Sequence, residues 1–140
     1  MLWIQSQYEE AGTEFEQELA NVPNHVQAMI YLADTNIKLE HPELALPLIQ
    51  KVIRISPQTE MAHLDLDILY VNDGRQEDAL HELNVPARLN PDDVRVHWRL
   101  ARLYEAMGRK DEANAEWQKT SSLTKANESV LSKIDNTHKD

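Results

Sequence analysis

The chain has 140 residues, a hydrophobic content of 41% and a formal net charge of −10, which bounds it as one acidic domain with enough apolar side chains for a buried core. The negative charge argues against nucleic acid as a partner, because nucleic acids are bound mainly through Lys and Arg. The absence of cysteine excludes disulfides and thiolate metal sites. The sequence contains no run of 18 apolar residues, so it predicts no membrane-spanning helix. The first residues lack the basic region and apolar core of a secretory signal, and the compartment stays open between cytoplasm and periplasm.

Several residue types recur along the chain at a step of 34 residues. The recurring residues are Pro23, Pro57 and Pro91; Ala11, Ala45, Ala79 and Ala113; Leu32, Leu66 and Leu100; Tyr70 and Tyr104; and Gly74 and Gly108. A small residue, a large residue and a turn residue that stay in phase predict a repeat made of two helices.

The predicted helices follow from the apolar period and from the turn residues between them. Residues 1–22 have the spacing of the second helix of a repeat, so the chain opens in mid-repeat, either as a piece of a longer array or with a lone capping helix. Three helix pairs follow, at 25–39 with 43–56, 59–72 with 76–89, and 93–107 with 110–123. Pro86 predicts a bend or an early helix end near 84–86. A last helix at 126–137 carries Val130, Leu131 and Ile134 on one face and is expected to cap the array.

The third copy resembles the tetratricopeptide repeat pattern of Trp-x2-Leu-Gly-x2-Tyr, Ala-x3-Phe and Pro. Its residues in that order are His97, Leu100, Ala101, Tyr104, Gly108, Ala113, Trp117 and Lys125. The resemblance implies an all-α fold, a right-handed α-solenoid of antiparallel helix pairs. The expected domain covers 1–137, with a half repeat at 1–22, three full 34-residue repeats at 23–56, 57–90 and 91–124, a capping helix at 125–137, and a tail at 138–140.

The candidate partner-binding surface is a strip on the first helices of the repeats, about 100° around each helix from its packed face. The first helices of tetratricopeptide repeats line a concave groove, so the resemblance implies that this strip is the groove floor. Its residues are Ile30, Asp34, Ile37, Leu64, Ile68, Arg95, Trp98 and Arg102. Ile30, Leu64 and Trp98 occupy equivalent places, and ordinary packing between helices is the alternative interpretation of this row.

No pattern in the sequence indicates a catalytic site, a cofactor site or a metal site. His63 and His97 stand one repeat apart, and we interpret them as packing residues. Asp67 stands where the other repeats have Ala33 and Ala101, which predicts a carboxylate that is partly removed from water.

The sequence therefore predicts a non-catalytic module that binds a protein or peptide in the concave groove and needs no cofactor. The alternative is an assembly module that self-associates through the open end of its array, as a homo-oligomer joined by the N-terminal half repeat. One following helix cannot bury all the apolar residues of that half repeat, which are Leu2, Trp3, Ile4, Tyr8 and Phe15. We expect residues 1–5 either to fold back over this face or to pair with another molecule.

Overall fold

The computed structural model describes the backbone of residues 2–138 and the side chains of residues 2–135. Residue 1 and most of the predicted tail at 138–140 lie outside this part of the chain. The described residues form helices and no strand, so the predicted all-α fold is confirmed. The helices are α1 (Leu2–Asn21), α2 (Val26–Lys38), α3 (Pro42–Ile55), α4 (Glu60–Asn72), α5 (Gln76–Glu82), α6 (Asn84–Leu89), α7 (Val94–Ala106) and α8 (Lys110–His138).

The described residues divide into two compact units. The first, residues 2–86, contains α1 to α5 and the start of α6; the second, residues 87–138, contains the end of α6 with α7 and α8. In the first unit α1 packs on α2, α2 on α3, and α4 on both α3 and α5. In the second unit α7 packs on α8. The helices thus pair with their neighbours in the chain, as the 34-residue step predicts.

The core of the first unit is built from the helix faces that the repeat marks as packed. Met29 and Ala33 of α2 lie in one buried cluster with Ala45, Ile49 and Val52 of α3 and with residues of α4. Each large aliphatic side chain buried in this way stabilises the fold by about 1.5–3 kcal/mol. Ala33, Ala45 and Ala62 are fully buried in this cluster, where a larger side chain would hold the helices apart.

Asp67 is the exception on this packed face. Its side chain is in the core and the residue is only 2% exposed, so the predicted desolvation of this carboxylate is confirmed. Asp65, two residues earlier on α4, is buried as well. Asp67 stands where the first and third repeats have Ala33 and Ala101, whereas Asp65 stands where they have Tyr31 and Arg99.

The turn between the two helices of each repeat has the same conformation in all three copies. Gly74 and Gly108 both have φ of 75°, in the left-handed region that glycine adopts without strain. Glu40 stands at the equivalent place in the first repeat and has φ of 62°. In each turn the amide of the following residue donates to a carbonyl five residues back, as His41 does to Asn36 at 2.8 Å. This is a Schellman motif, which satisfies carbonyls that the ending helix leaves unpaired.

Proline interrupts the second helix of the second repeat, as predicted. α5 ends at Glu82, Leu83 forms a turn, and α6 begins at Asn84. Pro86 has no backbone N–H, and its ring would clash with the carbonyl of Glu82 four residues earlier, so one straight helix cannot continue through it. Pro42 in contrast stands in the first turn of α3, where the missing donor costs nothing.

The C-terminal helix differs from the prediction. α8 runs without a break from Lys110 to His138, and the separate capping helix expected after a gap near 124 is wrong. Neither glycine nor proline occurs in this segment, so nothing in the chain interrupts the backbone hydrogen bonds. Val130, Leu131 and Ile134 are exposed on α8.

Candidate functional site

The face of α7 presents an exposed tryptophan with an arginine stacked on it. Trp98 is 45% exposed, and the guanidinium carbon of Arg102 lies 5.1 Å from the centre of the indole ring. The opposite face of α7 is buried through Val96, Leu100 and Leu103. Trp98 therefore lies on the side of α7 away from its buried face.

Arg95 lies one turn before Trp98 and is held by the residue that caps α7. Nη2 and Nε of Arg95 lie 2.8 Å and 3.1 Å from the carboxylate oxygens of Asp93. The same carboxylate accepts the backbone N–H of Arg95 at 2.9 Å, which caps the helix. Arg95, Trp98 and Arg102 are thus brought together on α7, at i, i+3 and i+7.

The first repeat does not offer the surface that the sequence predicts. Ile30 is only 2% exposed and belongs to the core cluster, so its predicted place on a groove floor is wrong. Helix packing buries it, because α2 is in contact with α1, α3 and α4. Asp34 forms an ion pair with Lys38 at 2.9 Å, and Ile37 packs against the core.

The predicted residues of the second repeat are intermediate between these cases. Leu64 and Ile68 of α4 are half-buried, and Met61 and Val71 beside them are exposed. Among the predicted strip residues, exposure therefore rises from Ile30 through Leu64 to Trp98, although all three occupy the same place in the repeat.

A pair of histidine–glutamate contacts also follows the 34-residue step. Nδ1 of His63 lies 2.7 Å from Oε2 of Glu82, and Nε2 lies 2.7 Å from the carbonyl oxygen of Pro57. One repeat later, His97 makes the same two contacts, with Glu116 and with the carbonyl oxygen of Pro91.

Both ring nitrogens of His63 are engaged. A carbonyl oxygen only accepts, so Nε2 of His63 donates to Pro57. Nδ1 lies at hydrogen-bond distance from Oε2 of Glu82. His63 ties α4 to α5 and to the loop before α4, and neither ring nitrogen is left for a ligand. Among the described side chains, residues 2–135, no three His, Asp or Glu side chains are grouped to hold a metal ion.

Two surface depressions contain these pairs and repeat with them. One, of about 400 Å³, lies in the first unit, and the other, of about 740 Å³, lies in the second. Their equivalent lining residues are Ile53 and Ala87, His63 and His97, Leu66 and Leu100, and Glu82 and Glu116. They are a consequence of the repeat geometry around each histidine.

A different pair of depressions lies at the edge of the first unit where the helices of a repeat turn. We call this the turn edge. The larger depression, of about 570 Å³, includes Ile37, Glu40, Leu46 and Tyr70 in its lining. The smaller, of about 300 Å³, includes Ile4, Tyr8 and Lys38, and also Glu40. Glu40 therefore lines both depressions.

The two units differ in charge. Residues 2–86 carry 15 acidic and 4 basic side chains, a formal charge of −11, whereas residues 87–140 carry 9 acidic and 10 basic side chains, a formal charge of +1.

Two titratable side chains have a shifted pKa. The hydrogen bond from Lys38 to Asp34 raises the pKa of Lys38. In the second unit, burial raises the pKa of Tyr104 above its usual range.

Sequence reasoning missed the roles of Glu82, Glu116 and Glu40, although the repeat step contains the signal for all three. Glu82 and Glu116 stand 34 residues apart, in phase with His63 and His97. Subtracting one step from Gly74 gives Glu40, which predicts a left-handed turn without glycine.

Comparison with known proteins agrees with the helical repeat. The tetratricopeptide repeat family model matches residues 2–59, which include α1, α2 and α3. No curated protein has a sequence that matches the chain significantly. None of the helices in residues 2–138 is long and apolar enough to cross a bilayer.

Several solved structures of MamA proteins are similar to this chain. MamA MSR-1 is 25% identical over 86% of this chain and 70% of its own, with a TM-score of 0.71. MamA AMB-1 is 29% identical over 81% of this chain and 62% of its own, with a TM-score of 0.68. MamA from Desulfovibrio magneticus RS-1, at 23% identity, covers 89% of this chain and 71% of its own with a TM-score of 0.77, which shows likeness of fold alone. These matches confirm the fold of the chain as an α-solenoid of the tetratricopeptide repeat type.

Proposed function

We propose that this tetratricopeptide repeat chain is a non-catalytic module that binds a peptide segment of a partner protein on the concave side of its repeats, with α7 as the principal contact. The observation that supports the proposal is the exposed Trp98 with Arg102 stacked over its ring. Binding free energy at protein interfaces concentrates in Trp, Tyr and Arg, so a partner that contacts this surface gains the most binding free energy.

The chemistry of α7 specifies the partner segment. The indole ring offers an apolar face for an aromatic or aliphatic side chain, and a guanidinium already held at the ring loses little freedom when it binds. A carboxylate of the partner would be received by Arg102, since Arg95 is engaged with Asp93. The segment therefore has an apolar anchor next to an acidic group.

The test is a pair of tryptophan variants. A partner recovered by the intact chain is purified and titrated into Trp98→Ala and into Trp3→Ala, which removes another exposed tryptophan. We expect Trp98→Ala to weaken binding by about 2 kcal/mol or more, roughly 30-fold, while Trp3→Ala binds as the intact chain does. Circular dichroism should show an unchanged helical fold in both, because both side chains are exposed.

Two results would overturn this proposal. If Trp98→Ala binds the partner as tightly as the intact chain, α7 is not the contact. If Trp98→Ala unfolds, the ring is a packing residue. Arg102→Ala gives a second measurement, since it should lower affinity and weaken the salt dependence of binding.

Self-association through the N-terminal end is the second candidate function. α1 begins at Leu2, so residues 2–5 are helical and do not fold back over the apolar face. Leu2 is 85% exposed and Trp3 is 71% exposed, with the exposed Ile4 beside them. Adjacent exposed apolar side chains of this size are typical of an interaction surface.

Sedimentation over a concentration series tests this alternative. If the chain self-associates through α1, Trp3→Ser should lower the average mass at high concentration and Trp98→Ser should not. Association that is equal in Trp3→Ser and the intact chain would contradict a role for this end.

A further inference from the structure

We infer that the turn edge of the first unit is a second interaction surface, which takes a basic segment of a partner protein carrying one large apolar side chain between lysines or arginines. The surface lies on α1 to α4 and shares no residue with the α7 face. It consists of the two depressions that meet at Glu40.

The floor of the larger depression is apolar and wide enough for one side chain. Ile37, Leu46 and Tyr70 line it, are half-buried and pack against the core. The volume of about 570 Å³ exceeds what a single leucine or phenylalanine occupies, so part of the neighbouring chain fits with it. An apolar anchor is therefore required to fill the depression, because a purely hydrophilic chain would leave its apolar lining in contact with water.

The rim of the same depression is acidic. Glu40, Glu43 and Asp73 line it, against the single cation Arg75. Arg75 is already bound to Asp78, with Nε 2.8 Å from Oδ2. The whole first unit, with a formal charge of −11 over residues 2–86, adds a field of the same sign. Charge complementarity therefore selects a cationic partner segment.

The chain's own side chains show that a cation over a tyrosine ring is accommodated in both depressions. In the larger, the guanidinium carbon of Arg75 lies 4.4 Å from the centre of the Tyr70 ring. In the smaller, Nζ of Lys38 lies 5.4 Å from the centre of the Tyr8 ring and binds Asp34. A basic residue of a partner, placed beside these rings and carboxylates, meets the same chemistry.

Glu40 is placed at the junction of the depressions at a cost to the backbone. Its left-handed φ of 62° is unfavourable for any residue with a Cβ, and the other two repeats use glycine there. The first repeat thus keeps a carboxylate between the two depressions where glycine would be more stable. A strained residue retained at a surface site is the expected result when its side chain contacts a partner.

The test is a titration of the intact chain with the amidated peptide Lys-Lys-Leu-Phe-Lys-Lys, followed by NMR of the backbone amides. We expect the shifted amides to fall within residues 4–8, 37–46 and 69–75, which line the two depressions. A peptide with serine in place of Leu and Phe should bind at least about fivefold more weakly, because it lacks the anchor. Trp98→Ala should leave this titration unchanged, which separates it from the partner binding proposed for α7.

Three chain variants complete the experiment. Glu40→Gly and Glu43→Gln should each weaken the peptide about two- to fivefold, the range expected for one exposed ion pair. Glu14→Gln removes an exposed carboxylate of α1 outside both depressions and should have no effect. Glu40→Gly should also raise the thermal midpoint, so that its weaker binding cannot come from unfolding, and Glu43→Gln carries the test independently.

The outcomes are distinct. Equal weakening by Glu14→Gln, or equal binding of the serine peptide, would mean that the peptide responds only to overall negative charge, and the inference would be overturned. Shifted amides confined to α7 and α8, or no shifted amides at millimolar peptide, would overturn it as well. Loss in Glu40→Gly and Glu43→Gln together with dependence on Leu and Phe is the supporting result.

Discussion

The contact between His63 and Glu82 makes a strong prediction, because the first repeat has apolar residues at the two equivalent positions. One 34-residue step before this pair stand Met29 and Leu48, which belong to or pack against the core cluster. We therefore consider His63→Met, Glu82→Leu and the double substitution, which copies the first repeat into the second.

The magnitudes follow from what each single substitution leaves behind. The side chains of His63 and Glu82 are 9% and 15% exposed, so water reaches them poorly. His63→Met leaves the Glu82 carboxylate and the Pro57 carbonyl without their donors, at about 1–3 kcal/mol for each unsatisfied group, and we expect a loss of about 2–4 kcal/mol. Glu82→Leu leaves one ring nitrogen unsatisfied, at about 1–3 kcal/mol.

The double substitution should recover the part of this loss that comes from the contact between His63 and Glu82. It replaces those two side chains with an apolar pair of similar size, which is often nearly neutral, whereas the Pro57 carbonyl stays without its donor. We therefore expect a coupling free energy of about 1–3 kcal/mol between the two positions. His81→Met, at the exposed residue next to Glu82, is the matched control and should change stability by less than about 0.5 kcal/mol.

The assay is urea unfolding followed by circular dichroism, with the slope of the transition checked for constancy among variants. Additive losses, in which the double variant is as unstable as the sum of the singles, would refute the argument that the two side chains satisfy each other. A destabilising His81→Met would show that the measurement responds to any change in α5.

The remaining predictions concern the turn and one tyrosine. Glu40→Gly should raise the free energy of unfolding by about 1 kcal/mol in urea, and Gly74→Ala should lower it by about the same amount. The second change isolates the backbone, because a Cβ at Gly74 would meet no atom within 4 Å; equal stability of both variants and the intact chain would contradict the strain argument. The pKa of Tyr104 is raised in the folded chain, so the unfolded chain loses this phenolic proton first as pH rises above about 10. The contribution of Tyr104 to stability is therefore complete below that pH and is lost above it. Thermal midpoints should therefore fall less steeply above pH 10 in Tyr104→Phe, and an unchanged fall would argue against this cause.

Much of the fold could be predicted from the sequence because it depends on local signals. Gly74 and Gly108 end their helices in a conformation that glycine favours, and Pro86 lacks the donor that a continuous helix needs. The packed face of α2 follows from helical spacing alone, and Met29 and Ala33 are in the core as predicted. The bounds of α2, α3, α4 and α7 agree with the prediction to within one residue.

Only the tertiary structure decided what each surface offers. Ile30 and Trp98 occupy one place in the repeat, yet Ile30 is covered by neighbouring helices and Trp98 is exposed, a difference that depends on contacts far apart in the chain. The contact between His63 and Glu82 could not be predicted from either residue, because it exists only when α4 and α5 pack together. The repeat period determines which residues are equivalent, and packing determines which of them remain free to bind a partner.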